Sequence, residues 1–461
     1  MRYDDTTRRQ FITISSLGAL AAAAGCTGTG ENPSDGGSNE TDDDPPPAPD
    51  DTDDADAADD GSTEPSDDDS VEDDDDQEEE EQRSLETSFL SREEFAQPGE
   101  LFDDFEDESR WTVTTGEMDF DSDRSVEGSQ SMHLHGEGGE NIVVERTLED
   151  EDLTDLDFSF SLFTTTPRNI AIYLEFTDAY TSTAIYQLRR LTYRTPDVDW
   201  FRTSPGLFDI DFVPPEMDEV ERMRLVVLNS SEADVWIDDL RVHEKPERGY
   251  VILCWDDGFR DFYEDAAPMH DEFGFNAVQA PIPGYTSGNY MSVEELHERQ
   301  EAGDEIVMHG THDPIHEYDE EDMEPRLRRD KQWFLEHDLQ GADYIIYPHN
   351  SFNATSLEYK NKYHYCGGCN QSGDVNTTGV HGFDPLVLPR TIGNDLEISK
   401  RAVDMAAAGR NCSILNFHRW DAENTMSKDA YRELLEHIDG KGDEIAVITI
   451  DELWQMRMDG Q

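Results

Sequence analysis

Tyr250-Val251-Ile252-Leu253-Cys254-Trp255-Asp256-Asp257-Gly258-Phe259 is the stretch on which the fold turns. Its six largely apolar residues, Val and Ile among them, read as a short buried strand. Two adjacent carboxylates stand at the C-terminal end, and a glycine turns the chain immediately afterwards. Burying neighbouring carboxylates is costly unless a cation or a proton holds them, so the pair points to a site. The competing reading is a solvated Asp-Asp-Gly turn, since these residues favour turns.

Downstream, over 247–461, short apolar strands alternate with helix-like segments. Strands are predicted at 275–280, 305–308, 343–347, 413–417 and 445–449, and helices at 292–302, 320–337, 397–408 and 428–438. Ser292 and Glu295 have the spacing of a reciprocal capping box. Such alternation implies α/β architecture with a parallel sheet, open or closed into a barrel. In either case a site belongs at the C-terminal ends of the strands, where Asp256 and Asp257 stand. Three more candidates share that address: His309 and His312 after the strand at 305–308, Tyr347-Pro348-His349-Asn350, and His418. One carboxylate and two neutral imidazoles are a fitting set for zinc, with positions left open for water.

Upstream, residues 99–246 consist of short alternating segments separated by Gly, Pro, Asn and Asp, which predict an antiparallel β-sandwich. Its opening Phe102-Asp103-Asp104-Phe105-Glu106 and its closing segment at 235–242 resemble the ends of jelly-roll carbohydrate-binding modules. Trp111, Trp200, Tyr180 and Tyr186 read either as sugar-stacking platforms or as core. Residues 27–98 are rich in Asp, Glu, Gly, Ser and Pro and read as an extended, self-repelling linker. Thr7-Arg8-Arg9-Gln10-Phe11-Ile12, with the apolar run behind it, resembles a twin-arginine export signal over residues 1–26. It ends at Ala23-Ala24-Gly25-Cys26, a lipobox-like sequence lacking the usual leucine, which would lipidate Cys26 and anchor the exported protein to the membrane at the cell surface.

The net charge is −73, and the acidic linker does not account for it. Between Glu31 and Glu81 there are 26 acidic and no basic residues, and the rest of the chain still carries −47. Folded surfaces this acidic resemble those of haloarchaeal proteins, which stay soluble where concentrated salt screens self-repulsion. A nucleic-acid partner is disfavoured, because phosphate neutralisation needs Lys and Arg.

The spaced motifs resemble those of the polysaccharide deacetylase family, which includes chitin and peptidoglycan deacetylases. Leu253 to Gly258 is similar to its first motif and Gly303-Asp304-Glu305-Ile306 with His309-Gly310-Thr311-His312 to its second. Tyr347-Pro348-His349-Asn350 and Ile414-Leu415-Asn416-Phe417-His418 are similar to later ones. The resemblance implies an irregular (β/α) barrel, usually short of eight units. It also implies roles: Asp256 as general base, and Asp257, His309 and His312 as ligands of a divalent metal, usually zinc. His418 would be the general acid, with a backbone N–H near Tyr347-Pro348 supporting the oxyanion and Arg390 orienting the base. The second histidine falls one residue early, so Asp313 or His316 is an alternative ligand. Asn350 replaces a glycine, and it is the residue type that best tolerates the left-handed backbone in glycine's place. His349 lines the cleft with no family role. Cys366 and Cys369 fit an extracytoplasmic disulfide, whereas Cys254 reads as a small buried hydrophobe. The expected activity is metal-dependent removal of acetyl groups from an N- or O-acetylated extracellular polysaccharide. The alternative is a surface glycan-binding protein that keeps the fold but has lost turnover.

Overall fold

In the computed structural model the described residues are 85–87 and 97–460, apart from 168–169, 190–197, 230, 311–314 and 421–424. The predicted export signal, Cys26 and nearly all of the predicted acidic linker lie outside them. Among the described residues no helix is long and apolar enough to cross a membrane.

Residues 100–244 form two six-stranded antiparallel sheets. One runs Glu117–Asp121, Ser131–Gly136, Ala233–Glu244, Leu156–Thr164, Val198–Thr203, with Glu100–Asp103 also on Ala233–Glu244. The other runs Gly206–Ile210, Thr183–Arg189, Ile170–Asp178, Val220–Asn229, Ile142–Glu151, Thr112–Thr115. Alternate residues, such as Met132 and Leu134 or Phe158, Phe160 and Leu162, fill a shared apolar core. Trp111 and Tyr186 belong to that core, each only 4% exposed, and so cannot serve as sugar platforms. Their polar ends are satisfied locally: Trp111 donates to Asp103, and Tyr186 accepts from Lys245. Trp200 is half-buried against Phe163, and Tyr180 is exposed.

The second half of the chain is a closed barrel of seven parallel strands. In chain order these are Gly249–Asp257, Val278–Pro281, Glu305–His309, Gly341–Ile346, Cys366–Ser372, Leu388–Ile392 and Cys412–Phe417. Each pairs with the next, and Cys412–Phe417 pairs with Gly249–Asp257 to close the ring. Ile445–Val447 adds an eighth strand outside the ring. The predicted strands and helices recur within a few residues, and Ser292 and Glu295 do form a capping box. The barrel also contains the strands Cys366–Ser372 and Leu388–Ile392 and the helix Ala354–Tyr363, which the sequence pattern did not reveal.

Cys366 is a free, buried thiol, which overturns its predicted disulfide with Cys369. Both lie on one extended strand, where three residues span about 10 Å, beyond the roughly 7 Å that a disulfide tolerates. The Cys369 side chain itself lies outside the described residues.

The two layers meet at the N-terminal ends of the barrel strands. Asn411, the residue before Cys412–Phe417, donates to both Asp157 oxygens at 3.1 Å and accepts from the Leu207 N–H at 2.9 Å. Thr378 pairs with Pro205 on one side and Cys412 on the other. The sandwich therefore covers the pole opposite Asp256 and leaves the C-terminal strand ends to the site.

Beneath the helices, Trp255, Phe262, Phe417, Trp420 and Tyr431 pack ring against ring. His270 is fully buried in this cluster with Nε2 2.6 Å from the Tyr431 hydroxyl. Burial pushes its pKa down to about 3, and that of His243 likewise. As pH falls below about 6.5, the unfolded chain takes up protons that these folded imidazoles refuse. Their contribution to stability is therefore complete above that pH and is lost progressively toward pH 3. Denaturant unfolding at constant salt should show stability falling from pH 7 to pH 4. In His270→Gln the slope between pH 5 and 4 should be shallower by about 1.4 kcal/mol per pH unit, the worth of one proton.

Candidate active site

Alternation along each strand sends every second side chain into the barrel lumen. Ile252 and Cys254 lie there with Val307, Leu388 and Ile414, forming an apolar plug. Continuing the same rows toward the C-terminal strand ends brings Asp256, His309, Arg390 and His418 onto one layer above it. The barrel's registration thus collects residues far apart in sequence.

Asp256 is 3% exposed and Arg390 1%. Arg390 Nη1 donates to both Asp256 oxygens, at 3.0 and 3.1 Å. Burial alone would raise the Asp256 pKa, but the guanidinium, then His418 and His309, outweigh it and hold the carboxyl below its ordinary range. The Cys254 thiol also points at Asp256 Oδ1, at 3.5 Å. Burial keeps that thiol protonated, so it acts as a weak donor to the carboxylate and is more than the small hydrophobe expected. Its position two residues before Asp256 on one strand was the available signal. His418 Nε2 stands 3.8 Å from Asp256 Oδ2, and its side chain is 40% exposed, open to the cleft.

Asp257 breaks from the strand. Its φ is 70° and that of Gly258 is 73°, two consecutive left-handed residues. A Cβ on Gly258 would lie 2.7 Å from Pro281, so glycine is required both by conformation and by contact. The turn brings Asp257 Oδ1 to 3.6 Å from His309 Nε2. That separation is too long for a hydrogen bond but close to the ~3.4 Å edge of a tetrahedron with ~2.1 Å zinc bonds. His309 Nδ1 lies 2.8 Å from the Gly310 carbonyl, which places the proton on Nδ1 and the lone pair on Nε2. Carboxylate and imidazole are thus a donor pair of the right chemistry for a divalent metal. The third expected ligand, His312, and the alternative Asp313 lie outside the described residues, as does the side chain of His316. No group of three candidate ligands occurs among the described residues.

The third motif follows the strand Gly341–Ile346. Tyr347 and Pro348 are buried, and the Tyr347 hydroxyl donates to the Leu386 carbonyl at 2.7 Å. The Lys360 ammonium lies 3.3 Å from the Tyr347 ring centroid. The Tyr347 N–H is donated to Gly368 at 3.1 Å, and Pro348 has no N–H, so neither backbone group is aimed at an oxyanion here. His349 is exposed, with φ 56°. Asn350 has φ 50°, the left-handed conformation its residue type tolerates, and its Oδ1 accepts from Arg390 Nη2 at 2.7 Å.

This arrangement suits proton transfer beside a cation. Residues 243–367 match the family described as polysaccharide deacetylase, and the chain carries a polysaccharide deacetylase domain there. No curated protein matches the chain in sequence. Among solved structures it is similar to the Xyl-CE4 domain of a multidomain xylanase from the Trinervitermes trinervoides hindgut metagenome. The identity is 14%, over 46% of this chain and 92% of that one, with a TM-score of 0.34. A family 4 carbohydrate esterase from Streptomyces lividans, in complex with acetate, is 18% identical over 44% and 94% of the two chains, with a TM-score of 0.33. A family 11 carbohydrate-binding module from a Clostridium thermocellum cellulase is 16% identical over 32% and 94%, with a TM-score of 0.24.

Removing the guanidinium should expose the cost of burying Asp256. In Arg390→Met the Asp256 carboxyl should titrate at a higher pH than in the parent. Difference infrared spectroscopy, with Asp256→Asn as the reference for assignment, reads that shift directly.

Proposed function

We propose that the barrel removes acetyl groups from an N- or O-acetylated extracellular polysaccharide with the help of a divalent metal. Asp257 and His309 would hold the metal together with His312, and the oxygen and nitrogen donors favour zinc. The observation that carries the reading is the juxtaposition of two dissimilar pairs. One is the clamped, ionised Asp256 with His418 at 3.8 Å, and the other is Asp257 facing His309 at 3.6 Å.

A metal bound there would polarise the acetyl carbonyl and bring the pKa of a water toward ~7. Asp256, kept ionised by Arg390, accepts a proton from the water that attacks the carbonyl carbon. As the bond from that carbon to nitrogen or oxygen breaks, His418 delivers a proton to the leaving atom from the open side of the cleft. Acetate and the free amine or hydroxyl are the products. The proposal extends to the whole chain: twin-arginine export, a lipid on Cys26, a charged linker, and a sandwich that assists glycan contact.

Purified protein in concentrated salt should release acetate from a panel of acetylated glycans and hold about one metal ion per folded chain. Chelation and Asp256→Asn should each slow release by at least about 100-fold. Glycan binding without metal and without acetate would identify the glycan-binding alternative, and acetate release that survives chelation would remove the metal from the reading.

A further inference from the structure

Arg390 spans two motifs at once. While Nη1 reaches both Asp256 oxygens, Nη2 donates to Asn350 Oδ1 at 2.7 Å. Asn350 comes from the turn Pro348–Asn350 after the strand Gly341–Ile346, whereas Arg390 projects from Leu388–Ile392. A guanidinium is planar, so fixing both terminal nitrogens fixes the plane. Held by Nη1 alone, it could pivot about Asp256 and carry the carboxylate with it. The left-handed backbone at Asn350, φ 50°, aims the amide oxygen inward at a position where most side chains would be strained.

We propose that Asn350 is a positioning residue: its amide oxygen locks the Arg390 guanidinium and so fixes the Asp256 carboxylate relative to His418 and Asp257. The proposal rests on the deacetylase reading for its catalytic consequence, although the lock itself is a property of the side chains. It gives a chemical reason for asparagine at a turn where backbone conformation alone would favour glycine.

The two roles of Asn350 separate by substitution. Asn350→Gly keeps the left-handed turn without strain and removes only the amide. Its kcat should fall about 10- to 100-fold, since small misplacements of a reacting group have effects of that size, while KM stays within about twofold. Asn350→Asp keeps an acceptor oxygen and should retain kcat within about fivefold of the parent. Crystal structures of parent and Asn350→Gly should show the Arg390 plane rotated in the variant and at least one of its hydrogen bonds to Asp256 broken. Parent-like kcat in Asn350→Gly, or an equal fall in both variants, overturns the proposal. If the parent releases no acetate, the deacetylase reading fails on its own, and the crystal structures still decide. A displaced Arg390 then supports the lock, and an unmoved Arg390–Asp256 pair overturns it.

Discussion

The buried pairing of Asp256 with Arg390 is the constraint on which the site depends. Removing both charges from water costs several kcal/mol per ion, and their attraction offsets this only with good geometry and further hydrogen bonds. The barrel provides both. Arg390 projects from a strand two places away in the ring, and its side chain crosses the lumen past Cys412–Phe417 to reach the carboxylate. Asn350 accepts from the other nitrogen and Cys254 donates to the carboxylate, so the pair is bound by neighbours as well as by charge. An apolar plug below excludes water, which strengthens the attraction and makes any unpaired group there expensive.

The same closure gives two adjacent aspartates different environments. Asp256 keeps the strand's alternation and enters the lumen, with its side chain 4% exposed. Asp257, turned by a left-handed residue, swings toward His309, with its side chain 24% exposed. One carboxylate is held ionised by an arginine and the other is left with oxygen lone pairs for a cation. Neighbours in sequence thereby acquire separate environments, and the turn at Asp257-Gly258 makes the division.

The barrel's poles are also divided. At the N-terminal strand ends, Asn411, Thr377 and Thr378 bond the sandwich through Asp157, Leu207 and Ser204. Asn376 and Asn411 are buried in that seam, 1% and 0% exposed. With the sandwich fixed at the far pole, the pole that carries Asp256 is left to the barrel's own strand ends and loops.

Much of this was legible in the chain. Strand-helix alternation gave a parallel α/β sheet, open or closed, short alternating segments gave the sheets before it, and Asp256, Asp257, His309 and His418 stand at strand ends as expected. Those features are local, since period-two and period-3.6 patterns and turn residues report on a few neighbours at a time. Cys366–Ser372 escaped because Gly367, Gly368 and Asn370 weaken the strand pattern, and its burial between two other strands supplies what propensity does not. Trp111 and Tyr186 could not be assigned to surface or core from sequence, because an aromatic residue in a sandwich fits either face. The disulfide failed because Cys-Gly-Gly-Cys suggests a loop, while the ladder holds it extended. Sequence alone marked the candidate residues; tertiary structure alone decided which of them meet. Arg390 reaches Asp256 across 134 residues and Asn350 across 40, pairings set by strand order and lumen registration and not by any local signal.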